Sequence, residues 1–319
     1  MSSSSASTSD GADRPIDGPI DAPIDAAVGG ATHGATDGTP AGARSGGGRL
    51  VLVGTPIGNL GDLTPRSVDA LAAADLVCCE DTRRTGRLLQ HAGIRARELR
   101  VVNDHTEDRA VDDVLARLGR GETVAVVSDA GMPGISDPGE SLVAAAAGAG
   151  FTIEVVPGPS AAITALVASG LPAGRFAFEG FLPRKGSGRT ERLAAVAVER
   201  RTVVLYEAPH RVARTLDDLL RACGPDRRVV LARELTKLHE EHWRGTLASA
   251  VARVSDIEPR GEYVLVLDGA PAPAEVTDDH IVAAIDRARA AGASTRDAVA
   301  EAAAELGVPK RRAYALATR

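Results

Sequence analysis

The stretch Arg49-Leu-Val-Leu-Val-Gly-Thr-Pro-Ile-Gly-Asn-Leu-Gly61 decides the fold class. An apolar run, Leu50 to Val53, breaks at once into a loop carrying Gly54, Pro56, Gly58 and Gly61, and a helical stretch follows from Thr64 to Ala74. A strand, a glycine-rich turn and a helix in that order form the first unit of an open α/β sheet, in which ligands bind beyond the carboxyl ends of the strands. Glycine lets backbone N–H groups approach such a ligand closely. The spacing G-x3-G-x2-G is neither the dinucleotide fingerprint nor a Walker loop, because no Gly-Lys-Ser/Thr follows. An ordinary tight turn has the same appearance, so the loop gains meaning only from its companions.

Strand-like and helix-like segments alternate from Arg49 onward. The expected strands are 50–53, 76–79, 123–128, 152–156, 176–181, 202–206, 228–233 and 262–267. Helices are expected at 64–74, 140–149, 160–169, 190–199, 211–222 and 247–254. This alternation predicts α/β layering. A boundary near Pro157-Gly158-Pro159 gives an N-terminal α/β domain over 49–158 and a C-terminal α/β domain over 159–270, with a ligand cleft between them. After the linker Gly269–Glu275, residues 277–319 read as helices, with Ser294 or Thr295 capping the second.

Composition narrows the field. The chain has 319 residues and a net charge of −6, of which −4 falls in 1–48, a Ser/Gly/Ala/Asp-rich segment with a Pro-Ile-Asp repeat. That acidic tail cannot bury a core and is expected to be disordered. It has neither the basic start nor the apolar stretch of a secretory signal, and no run reaches membrane-spanning length, so a soluble, cytoplasmic protein is expected. Cys78, Cys79 and Cys223 form no C-x-x-C pair, and the first two read as core residues. His239-Glu-Glu-His242 matches no zinc-binding spacing and reads as charged surface; no metal is expected.

The strand ends carry the chemistry. Glu80 and Asp81 close the second strand and are followed by Arg83 and Arg84; carboxylates there can orient an arginine, bind a ribose or take a proton, or simply cap the next helix. The run Ser128-Asp-Ala-Gly-Met-Pro-Gly-Ile-Ser-Asp-Pro-Gly139 fixes an unusual backbone path that a plain crossover does not need. Pro157-Gly-Pro-Ser-Ala-Ala162 then leads into a helix N-terminus with free N–H groups. Phe176, Phe178 and Phe181 precede the cations Arg184, Lys185, Arg189 and Arg192, which suit either RNA phosphates or a solvated loop. Tyr206-Glu-Ala-Pro-His-Arg211 and Ala232-Arg-Glu-Leu-Thr-Lys237 add a phenol, carboxylates and more cations.

Taken in order, these loops resemble the tetrapyrrole-methylase superfamily, and more narrowly its ribosomal RNA small subunit methyltransferase I branch. The matching words are 55–66, 79–89, 128–139, 157–172, 178–185, 206–211 and 232–241. The resemblance implies S-adenosylmethionine as cofactor, folded between two α/β domains. It places Pro56, Ser128, Asp129, Ala130, Gly131, Ile135, Ser136, Pro159, Ser160, Ala161, Ala162, Tyr206, Glu234 and Leu235 near that cofactor. It also implies methylation of a cytidine ribose 2′-oxygen in the decoding region of 16S rRNA within the small ribosomal subunit, and a homodimer.

An assisting base is expected for so weak a nucleophile, and Glu80, Asp81, Asp129, Glu207, Glu234 and Lys237 all qualify by type and position. Glu80, Asp81 and Arg83 are expected to organise the substrate end as the catalytic group, with the Asp129 loop serving the cofactor. RNA contact is expected from Arg84, Arg184, Lys185, Arg189, His210, Arg211 and Lys237. With 3% aromatic residues a base-stacking platform is disfavoured. Two other classes stay open: a tetrapyrrole methyltransferase, and a non-catalytic nucleic-acid binder built on the helix-turn-helix-like extension, 277–319.

Overall fold

The protein is described from a computed structural model covering residues 47–103, 106–272 and 276–318. All of the acidic segment 1–48 except its last two residues lies outside the described residues.

The first sheet is parallel throughout. Its strands are β1 (Arg49–Val53), β2 (Leu76–Cys79), β3 (Leu99–Val101), β4 (Thr123–Val126) and β5 (Thr152–Val156), in the order β3-β2-β4-β1-β5. Buried on both faces, β1, β2 and β4 are near-continuous apolar runs, as a parallel sheet requires. Around it run α1 (Pro65–Ala73), α2 (Thr82–His91), α3 (Glu107–Gly119) and α4 (Glu140–Gly148). On α3, Ala110, Val114 and Leu118 recur every four residues and pack against Leu50, Leu76 and Val124. Neither β3 nor α3 was among the expected elements.

The second sheet is mixed. It holds β6 (Phe176–Phe181), β7 (Thr202–Glu207), β8 (Arg228–Arg233), β9 (Glu241–Thr246) and β10 (Tyr263–Leu267), ordered β6-β7-β10-β8-β9, with only the β6–β7 pair parallel. One face is covered by α7 (Pro209–Cys223) and α8 (Leu247–Ser255), with α6 (Ser187–Val198) packed on α7. The other face receives α5 (Ala161–Ser169), whose Ala162, Ala165 and Leu166 meet Val204, Val230 and Val266. Ile57, from the loop after β1, joins this same core. Strand β9 contains the expected charged surface: Glu241 pairs with Arg233 at 2.6 Å and with Arg253, and His242 Nε2 meets Glu240 Oε1 at 2.8 Å.

Beyond the second sheet, α9 (Asp278–Ala290), α10 (Thr295–Glu305) and α11 (Lys310–Ala317) close on their own core of Ile281, Ile285, Ala298, Ala302 and Ala313. Ser294 caps α10 by accepting from the Asp297 N–H. Among the described residues no helix is long and apolar enough to cross a membrane.

One backbone crossing positions everything that follows. The loops leaving β1 and β5 pass so closely that a Cβ on Gly54 would sit 2.6 Å from the Gly158 Cα and N, and a Cβ on Gly158 would sit 2.8 Å from the Gly54 Cα. Both obstacles are backbone, which cannot rotate away as a side chain could. Gly54 also donates its N–H to Val156 O at 3.0 Å, continuing the β1–β5 ladder to the crossing. Gly54→Ala and Gly158→Ala are each expected to lower stability by about 1–3 kcal/mol, the usual cost of overpacking, in urea unfolding. Wild-type stability in both would contradict the crossing.

Candidate active site

Three strand-end loops of the first sheet are stitched together through backbone groups. Thr55 and Gly131 form an isolated antiparallel bridge: the Thr55 N–H donates to Gly131 O at 2.9 Å, and the Gly131 N–H donates to Thr55 O at 3.2 Å. The buried Thr55 hydroxyl accepts from the same Gly131 N–H at 3.1 Å and lies 3.3 Å from Ser128 O. Gly131 has φ +91°, a conformation that suits glycine. The loop after β4 is thereby tied at its start to the loop after β1.

Its far end is held by a residue that sequence reading missed. Gly139, at φ +134°, precedes α4 where a side chain would normally cap the helix, and it has none to offer. The buried Glu107 of α3 reaches in instead, its Oε1 accepting from Gly139 N at 3.0 Å and Leu142 N at 3.1 Å. A carboxylate at a helix N-terminus satisfies unpaired donors and complements the helix dipole. The loop crest between these anchors faces a cavity.

The acidic loops lock reciprocally. Glu80 Oε1 accepts from the Asp129 N–H at 2.9 Å, while Asp129 Oδ1 accepts from the Asp81 N–H at 3.2 Å. Arg84 Nη1 stands 3.4 Å from Asp129 Oδ2. Burial pushes the Asp129 carboxyl above its ordinary value in spite of that arginine. Asp81 behaves differently. It caps α2, accepting from Arg83 N at 2.7 Å, and that backbone bond together with the Arg83 guanidinium holds its carboxyl below the ordinary value. Arg83 is 88% exposed in its side chain and turns back onto Asp81.

A cavity of about 460 Å³ opens between the two sheets. The first half contributes Ile57, Glu80, Arg84, Asp129, Ala130, Gly131, Met132, Ile135 and Asp137; α5 contributes Ser160 and Ala161. From the second half come Phe181, Tyr206, Glu234, Leu235, Lys237, Glu262 and Val264, with the Glu207–His210 corner. Tyr206 is fixed by edge contact with Phe178, ring centroids 5.0 Å apart, and its hydroxyl accepts from the Ala162 N–H at 3.2 Å. Burial raises the phenol above its ordinary value. Glu234 sits at φ +50°, a left-handed conformation costing about 1–2 kcal/mol for a side-chain-bearing residue. Burial raises its pKa, but Lys237 Nζ at 2.9 Å and the Glu262 N–H at 3.2 Å more than offset this, leaving the carboxyl below its ordinary value.

Most of the residues expected at the cofactor meet at this cavity: Asp129, Ala130, Gly131, Ile135, Ser160, Ala161, Tyr206, Glu234 and Leu235. Pro56 and Ser128 line an adjoining cavity instead. Ser136, Pro159 and Ala162 line neither, although Ala162 anchors Tyr206.

The expected catalytic group divides. Glu80 lines the first cavity, but Asp81 and Arg83 line neither, because capping α2 turns them outward. The cationic set divides as well. Arg184, Lys185 and His210 are exposed, and Arg84 and Lys237 stand at the cavities. Arg189 requires correction as an RNA contact. Helix α6 begins at Ser187, earlier than expected, which places Arg189 in its first turn, where its side chain is buried and bonded to Asp218 at 2.8 Å, Pro183 O at 2.9 Å and Thr215 Oγ1 at 3.0 Å. Arg211 is half-spent in the same way, on Glu207 and Leu182 O.

This arrangement has known counterparts. Residues 49–251 match the family model Tetrapyrrole (Corrin/Porphyrin) Methylases. The chain is 45% identical over 271 residues to the ribosomal RNA small subunit methyltransferase I of Synechocystis sp., covering 84% of this chain and 97% of that one. It is 50% identical over 225 residues to the protein of that name from Xylella fastidiosa, covering 70% and 82%. Among solved structures, a cobalt precorrin-4 methyltransferase shares the fold with a TM-score of 0.54 at 19% identity, over 71% of this chain and 96% of that one. The two sheets, the stitched strand-end loops and this extent of identity lead to one assignment: the chain belongs to the tetrapyrrole methylase family of methyltransferases and groups with the ribosomal RNA small subunit methyltransferase I proteins.

Proposed function

We propose that this protein transfers a methyl group from S-adenosylmethionine to the ribose 2′-oxygen of a cytidine in the decoding region of 16S rRNA. The observation that carries the reading is the cavity itself: an apolar pocket rimmed by backbone N–H groups, a phenol and carboxylates, opening beside a second, cation-lined pocket. The residues present suit the donor. Ile57, Met132, Ile135, Leu235 and Val264 offer apolar cover for an adenine and a methylene chain, and Glu234 and the α5 N-terminus offer partners for its polar groups. Relatives named for an rRNA substrate favour this acceptor over a tetrapyrrole. We place its action in the cytoplasm, where the small subunit is found, and keep the boundary near residue 158 as the division between two α/β domains.

The donor supplies a methyl carbon on a cationic sulfur. The ribose oxygen forms the new C–O bond as the C–S bond breaks and its electron pair stays on sulfur, so alignment in a water-poor cleft is the protein's chief contribution. The 2′-hydroxyl proton passes to Asp129. Its carboxylate lines both cavities, and burial raises its basicity. Glu80 fixes the Asp129 backbone, and Arg84 orients the carboxylate. Asp81 and Arg83 act only in shaping α2.

We further propose a homodimer. The edge strand β5 and helix α5 expose Val155, Ile163 and Val167, the last at 70%. Sedimentation at twice the chain mass supports it, and a monomer at working concentration refutes it.

The direct test is incubation with methyl-labelled donor and small subunits lacking the modification, followed by digestion. Label in 2′-O-methylcytidine is expected, and an unlabelled rRNA would sink the reading. Asp129→Asn is expected to lower kcat by about 10²–10⁴ with donor affinity within a few-fold, whereas Asp81→Asn and Arg83→Ala stay near wild type. Because Asp129 must be ionised to accept a proton, kcat should fall as pH drops through its folded pKa, which lies above the ordinary aspartate value of about 3.9. That acid limb should vanish in Asp129→Asn. Full activity in the variant would exclude Asp129 as the acceptor.

A further inference from the structure

Beside the apolar cavity lies a second one of about 590 Å³, within the range of small-molecule sites. Six residues belong to both: Ile57, Arg84, Asp129, Ala130, Lys237 and Glu262. The two share a wall and differ in chemistry. The second is floored by the loop after β1, at Pro56, Gly58 and Leu60, and by the face of α2 that carries Arg84, Arg87 and Leu88. Positions 84, 87 and 88 fall on one side of a helix, so α2 directs two guanidinium groups and an apolar side chain at this space together.

The charges there are unequal in their freedom. Arg84 is engaged by Asp129 at 3.4 Å, and Lys237 by Glu234 at 2.9 Å and Glu262 at 3.7 Å. Among the described residues no carboxylate pairs with Arg87. Lys237 is held at the boundary by close packing: a Cβ on Gly58 would meet its Cγ at 2.5 Å and its Cε at 3.0 Å, so its stem lies directly across the glycine backbone. Leu60, 45% exposed, stands at the pocket with Pro56 and Leu88.

We propose that this second cavity seats the target nucleotide. It takes an unstacked ribonucleotide, with the ribose at the shared wall beside Asp129, the base against Leu60 and Leu88, and a flanking phosphate on Arg87. Phosphate contacts fix register while the reacting group is set by the wall they hold it against. The inference rests on the function proposed above and adds the acceptor's seat and a contact, Arg87, that the motifs did not single out.

The test is steady-state methylation of unmodified small subunits by the full-length protein at saturating donor, for wild type, Arg87→Ala and Arg87→Lys, with donor affinity measured calorimetrically. Arg87→Ala is expected to raise the KM for the subunit about tenfold, with kcat and donor Kd within twofold. The salt dependence of subunit binding should become shallower by about one phosphate contact, a slope change of roughly 0.7–0.9. Arg87→Lys should recover most of the KM. An unchanged KM and salt slope in Arg87→Ala, with wild type active on rRNA, overturns the nucleotide seat and leaves the function standing. A parallel loss of donor affinity overturns it too, because Arg87 would then serve the first cavity or the fold. A wild type that methylates no rRNA removes the functional reading and this proposal together.

Discussion

The contact between Gly54 and Gly158 is the constraint on which the site depends. Two backbones that would admit no Cβ bring the ends of β1 and β5 together, and this fixes where Thr55 lies. Thr55 in turn registers Gly131, and Gly131 begins the loop that faces the cavity. Glu107 completes the fixation at the other end of that loop, substituting for a cap that Gly139 cannot provide. Ile57 continues from the same crossing into the core of the second sheet, so the two sheets are referred to one point. The loop is long and glycine-rich, but its path is set by hydrogen bonds at both ends, which is how a scaffold supplies a preorganised binding surface.

Charge is distributed according to two different tasks. Arg189 and Arg227 are buried and spend their guanidinium groups on backbone carbonyls, with Asp218 and Thr215 joining at Arg189; Arg227 alone reaches Asp268 O, Val196 O, Ala197 O and Glu199 O. Such groups hold the second sheet's corners and are unavailable to a polyanion. The cations that stand at the cavities come from α2, as Arg84 and Arg87, and from the loop after β8, as Lys237, while Arg184 and Lys185 of the loop after β6 are exposed. A net negative chain can in this way present a local basic face, since a sum over residues does not report how they are spent.

The sequence made some of this legible and hid the rest for physical reasons. Parallel strands β1, β2 and β4 declare themselves as apolar runs because both faces are buried, and the loops declare themselves by glycine and proline. β3 is three residues long and only half-covered, too short for any period to emerge. β9, Glu-His-Trp-Arg-Gly-Thr at an open edge, is half-covered along nearly its whole length and has one large apolar residue, Trp243, among charges that pair with neighbouring elements, so no alternation marks it. α3 did carry a readable four-residue apolar spacing at Ala110, Val114 and Leu118. Glu107 was beyond reach: its partners lie 32 and 35 residues away, and nothing local distinguishes it from a surface acid. The same holds for the inward turn of Arg189, decided by where α6 starts, whereas the capping of α2 by Asp81 was one of the readings its position offered.

The central claim is that the stitched strand-end loops and the second sheet together make one donor pocket. The most direct measurement is a crystal structure with the demethylated donor, S-adenosylhomocysteine. The account predicts density in the first cavity, with the thioether sulfur toward the wall formed by Asp129 and Lys237 and the remainder against Gly131, Ala161 and Leu235. Density lodged in the cation-lined cavity, or at a surface away from both, would contradict it.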